Sequence, residues 1–93
     1  MGVPDGTGSA FVRVRVELSS GASMIFDVSE EIFDGLELLR DRGLAGTKLC
    51  EAWLGAAAPR EAPILMHVFG VRANGTPIVV RVHCTADHPA SPR

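Results

Sequence analysis

Positions Phe11 to Leu18 alternate without a break. Val12, Val14, Val16 and Leu18 fall on one side of an extended chain, and Phe11, Arg13, Arg15 and Glu17 fall on the other. Such period-two alternation marks a strand with one face in a core and one toward water. Met24, Phe26 and Val28 repeat the pattern, so a second strand over 24–28 is predicted. Matching its apolar row to the first pairs Leu18 with Met24, Val16 with Phe26 and Val14 with Val28, through an odd-length loop containing Gly21.

The period then changes from two to that of a helix. Asp27 or Ser29 supplies an N-cap, Glu30 and Glu31 meet the positive end of the helix dipole, and Ile32, Phe33, Leu36 and Leu39 recur on one face with Leu38 at its margin. Arg40 and Arg42 occupy the last turn, and Gly43 is the stop. A second, shorter helix over 47–57 is expected, capped by Thr47, with Leu49, Cys50, Trp53, Leu54 and Ala57 as its stripe. Residues 55–63, rich in Ala and Pro, read as a linker.

Two β-rich runs follow, Ile64 to Val71 and Ile78 to Cys84, separated by Asn74-Gly75. Asn-Gly between such runs signals a hairpin, and a two-residue type I′ turn is the expectation. That turn sets Arg72 opposite Pro77, Val71 opposite Ile78, Phe69 opposite Val80, His67 opposite Val82 and Leu65 opposite Cys84. His67 then faces the core beside Cys84, while Met66 and Val68 face outward. The expected fold class is α+β: two β-hairpins forming an antiparallel sheet of about four strands, in the order ββααββ, with one or two helices packed on one face. The two hairpins are expected to have different turns. Residues 10–84 form the single domain, between flexible tails over 1–9 and 85–93.

At 93 residues, with 46% hydrophobic and 22% charged side chains, the chain has ordinary globular usage and one core, of a size that self-association often supports. No window reaches the roughly 18 apolar residues of a membrane-spanning helix. Position 6, where the myristoylation pattern needs Ser or Thr, is Gly6. Two cysteines without a leader-like segment argue against a secreted disulfide scaffold, so a cytoplasmic, reducing location is expected.

Candidate chemistry is sparse. Cys84 and His67 on neighbouring strands suggest a thiolate and its base, although a core cysteine beside a hydrogen-bonded histidine is the simpler account. Cys50, His67, His83, Cys84 and His88 supply enough zinc ligands, but without paired close spacing. The acids Glu30, Glu31, Asp34, Glu37 and Asp41 are spaced as a solvated helix face. No phosphate loop, dinucleotide fingerprint or nucleophile elbow is present. Neither an enzyme nor a cofactor is expected.

Charge distribution is more informative. The net charge is −2, yet the strands carry Arg13, Arg15, Arg72 and Arg81. An outer sheet face bearing Phe11, Arg13, Arg15, Ile25, Met66, Val68, Val79, Arg81 and His83 mixes arginine with exposed apolar groups, as partner-binding surfaces do. The expected function is a non-catalytic protein-interaction module or accessory subunit, self-associating through that face or a sheet edge. The contact residues are Met66, Val68, Val79, Arg81, Arg13, Arg15 and Phe11. Nucleic acid or an acidic ligand on the same arginines is the alternative. The hairpin-helix order itself carries no function.

Overall fold

The computed structural model describes residues 10–55 and 59–85; the terminal segments expected to be flexible otherwise lie outside this range. Two turns of the same construction organise the sheet. In the first, Gly21 N–H donates to Leu18 O (2.9 Å) and Leu18 N–H to Ala22 O (2.8 Å); in the second, Gly75 N–H donates to Arg72 O (2.8 Å) and Arg72 N–H to Thr76 O (2.8 Å). Each is a three-residue loop ending on a glycine of positive φ, +97° at Gly21 and +91° at Gly75. Ser20 and Asn74 occupy the same place in the two loops. Their side chains accept from Ala22 N–H (3.3 Å) and Thr76 N–H (2.9 Å).

Strands β1 (Phe11–Leu18) and β2 (Ser23–Val28) form the first hairpin, and β3 (Pro63–Val71) and β4 (Pro77–His83) the second. Together they make one antiparallel sheet in the order β2-β1-β3-β4. The fold is thus α+β, with helices α1 (Glu30–Asp41) and α2 (Gly46–Leu54) between the hairpins.

Both registers differ from expectation. Val16 pairs with Met24 and Val14 with Phe26, a two-residue slip that leaves every β1 and β2 side chain on its predicted face. In the second hairpin the loop is one residue longer than a type I′ turn, so Val71 pairs with Pro77, Met66 with Val82 and His67 with Arg81. A one-residue change reverses a strand's faces. Met66 and Val68 are therefore in the core, both at 0% exposure, while His67 and Phe69 point outward.

Ser29 caps α1, its hydroxyl accepting from Ile32 N–H at 3.2 Å. Phe33 and Leu36 are buried against Val12, Val14, Val16, Met66 and Val68. Burial of side chains this size contributes roughly 1.5–3 kcal/mol each. The second helix begins one residue before the expected start, and Ala57, expected on its stripe, lies outside the described residues. Ala45 is its N-cap residue, and Thr47 lies inside it, donating to Cys84 O (2.8 Å). Leu49, Cys50 and Leu54 face the core, and Trp53 Nε1–H donates to Ile32 O (2.8 Å), joining the helices.

The acids of α1 are not simply a solvated face. Arg72, at the end of β3, donates from Nη1 to Glu30 Oε2 (2.7 Å) and Asp34 Oδ1 (3.0 Å), and from Nη2 to Glu37 Oε1 (3.0 Å). Its guanidinium also lies 5.2 Å from the centre of the Phe33 ring. Glu30 reaches the turn itself, accepting from Ala73 N–H (3.1 Å). Glu61 does the equivalent at the other turn, accepting from Ser20 N–H and the Ser19 hydroxyl.

Ala73 N–H and then Arg72 hold the Glu30 carboxyl below its ordinary value near 4.5. A depressed folded value means that its stabilisation is fully present above the unfolded value and is lost as pH falls through the folded one. Denaturant titrations should thus show Glu30→Gln less stable than wild type at pH 7, with the gap closing as pH drops below 4.5. A gap that stays constant to low pH would refute the contact.

Gly70 sits where β1 crowds β3. Its φ is +153°, and a Cβ there would lie 1.8 Å from Phe11 O. Gly70→Ala should destabilise by about 3 kcal/mol or more, at the upper end of single-substitution effects. A chemical-denaturation midpoint within error of wild type would show that the strands do not approach as described.

Candidate interaction surface

Helices cover one side of the sheet, and the other side can be read off the register. Across the order β2-β1-β3-β4, one row holds Asp27, Arg13, Phe69 and Val79, and the next Ile25, Arg15, His67 and Arg81. Phe11, Val71 and Pro77 flank these at one end; Ser23, Glu17, Leu65 and His83 flank them at the other. Of the residues expected here, Phe11, Arg13, Arg15, Val79 and Arg81 are on this face. Met66 and Val68 are not: they belong to the core, and Leu65, His67, Phe69 and Val71 take their place.

The face exposes five large apolar side chains. Val79 is 84% exposed, Ile25 59%, and Phe11, Phe69 and Val71 each about 40%. Alternation along the two central strands brings Phe11 and Phe69 to the same side, diagonally across the β1–β3 pairing. Sequence reasoning missed Phe69 because it assumed the shorter turn. One signal against that turn was present in His67, the polar side chain in an otherwise apolar strand, which the shorter turn would have placed in the core.

The charged groups are partly committed to one another. Arg13 Nε–H donates to Asp27 Oδ1 (2.8 Å) and Nη2–H to Asp27 Oδ2 (3.3 Å), and the guanidinium lies 5.0 Å from the centre of the Phe11 ring. That hydrogen bond lowers the Asp27 pKa and raises that of Arg13. Arg81 Nε–H donates to His67 Nε2 (2.8 Å). Arg15 lies between Ile25 and His67 in the same row.

The thiol and metal candidates do not come together. Cys84 is disulfide-bonded to Cys50, with Cα atoms 5.8 Å apart, a separation ordinary for such bridges. The bridge is buried and ties α2 to the end of β4. His67 and His83 lie on the opposite face of the sheet, and His88 is outside the described residues. A Cys84–His67 dyad is thereby excluded, and both sulfurs of the proposed zinc set are withdrawn.

A cavity beside the bridge is lined by Thr47, Glu51, Leu54, Pro59, Arg60 and Glu61 among others. Among the described residues, no helix is long and apolar enough to cross a membrane. No protein-family model, curated protein or solved structure matches the chain.

Thiol titration of the chain, denatured without reductant, should find no free thiol. Cys50→Ala with Cys84→Ala should lower stability by about 2–4 kcal/mol, the usual worth of a bridge. Two titratable thiols in the unreduced chain would contradict the pairing.

Proposed function

We propose that this chain is a non-catalytic interaction module whose working surface is the outer sheet face. The observation that carries the proposal is the exposure of Val79, Ile25, Phe11, Phe69 and Val71 on one continuous sheet face opposite the helices. Apolar patches of this kind, bordered by arginine, are characteristic of protein-binding sites. Four strands about 4.8 Å apart, with about seven residues each, span on the order of 500 Å², against roughly 800 Å² per partner in a standard interface.

The partner that suits the face is a protein segment bearing apolar side chains and a carboxylate. Phe69 and Val79 provide the apolar ground. Arg15 and Arg81 stand in one row beside it, whereas Arg13 is already neutralised by Asp27.

The two phenylalanines on the central strands also favour a second reading, because single-stranded nucleic acids stack on such sheet platforms. Two observations rank it lower. Glu17 shares the face and repels phosphate, and one side of the Phe11 ring is occupied by Arg13.

Selection from a displayed library of random 12-residue peptides should enrich sequences combining aliphatic or aromatic residues with Asp or Glu. Phe69→Ala with Val79→Ala should weaken the selected peptides at least tenfold, the scale of hot-spot loss. Far-UV circular dichroism should stay unchanged. Peptides indifferent to that double variant would refute the assignment, and oligonucleotide binding that falls steeply with salt would favour the nucleic-acid reading.

A further inference from the structure

The two edges of the sheet are not equivalent. In antiparallel pairs, hydrogen-bonded and non-bonded residue pairs alternate. Leu18 N–H bonds to Ala22 O, so Met24, Phe26 and Val28 turn their backbone groups toward β1, leaving those of Ser23, Ile25 and Asp27 on the open side. By the same alternation β4 turns residues 77, 79, 81 and 83 outward, and Pro77 has no N–H to offer. Proteins blunt exposed edges with proline, lysine, bulges or cover. Strand β2, Ser-Met-Ile-Phe-Asp-Val, carries neither proline nor lysine.

The side chains around β2 are also incompletely buried. Ile25 is 59% exposed, and Met24, Phe26 and Val28 are only partly covered by the helices. A groove of about 200 Å³ runs beside the strand between Phe26, Val28, Ile32, Trp53 and Leu54. An added strand would place its inward side chains over that groove.

We propose that the occupant is β2 of a second copy, paired antiparallel about a two-fold axis at Ile25. This register is self-complementary. Ile25 meets its counterpart, Ser23 meets Asp27 in both directions, and all three pairs use backbone groups that point outward. On the inner side Met24 meets Phe26 twice, next to the groove. An axis at Asp27 would oppose two carboxylates, and one at Ser23 would leave Ile25 opposite Gly21 of the loop. Among the axes that fall on an outward-pointing residue, Ile25 is the one without a penalty of either kind.

The two-fold axis is perpendicular to the sheet, so both outer faces lie on the same side of one eight-stranded sheet. The proposed docking area doubles to about 1,000 Å², above the roughly 800 Å² per partner typical of stable complexes. The dimer stands independently of what that face binds.

Sedimentation equilibrium of the full chain at 100 µM should give a dimer. Ile25→Lys, which sets two ammonium groups against each other on the axis, should raise the dimer dissociation constant more than a hundredfold. Val79→Lys, on the outer face, should leave it unchanged. Circular dichroism and thermal melts establish that each variant folds. A monomeric wild type, a dimeric folded Ile25→Lys chain, or dissociation by Val79→Lys would each overturn the proposal, the last by moving the contact to the outer face. Loss of peptide binding with the dimer intact would instead count only against the docking assignment.

Discussion

The left-handed backbone at Gly75 decides which side of β3 faces the helices. A glycine with φ of +91° in the third loop position lets the chain close as a three-residue turn, and the turn sets Met66 opposite Val82. From that one register Met66 and Val68 become core, and His67 and Phe69 become surface. It also brings Gly70 into the inward row opposite Val12, where β1 approaches too closely for any side chain. Turn and close approach thus specify the same arrangement from two different glycines. Arg72 secures it from outside by gripping Glu30, Asp34 and Glu37 on α1.

Much of this fold is legible along the chain because one-sided burial writes itself as periodicity. The alternation from Phe11 to Leu18 and the spacing of Phe33 and Leu36 identify β1 and α1 directly, and Ser29 and Gly43 mark the limits of the helix. The register is less legible because Asn-Gly suits two turns, the two-residue type I′ and the three-residue loop seen here. Strand β3 is apolar at nearly every position, so its own pattern does not decide between faces. Only His67 among its side chains is polar, and it is the residue that the shorter turn would bury.

Other features depend on tertiary placement that local pattern does not encode. Cys50 and Cys84 are 34 residues apart and meet because α2 lies across the end of β4. The spacing of Glu30, Asp34 and Glu37 is that of an exposed helical stripe, and nothing local announces Arg72 as its partner. Phe69 joins the candidate surface solely through the turn. The resulting outer face keeps the arginines expected of it and exchanges two buried aliphatics for an aromatic and an imidazole.

The function proposed for the outer face therefore stands on the β3–β4 register, which nuclear Overhauser spectroscopy reads directly. Non-hydrogen-bonded antiparallel pairs bring their α-protons together, so strong Hα–Hα cross-peaks should link His67 to Arg81 and Phe69 to Val79. In the register of the two-residue turn the non-hydrogen-bonded pairs are different, and Hα–Hα cross-peaks joining Val68 to Arg81 and Gly70 to Val79 would place Phe69 in the core and contradict the account.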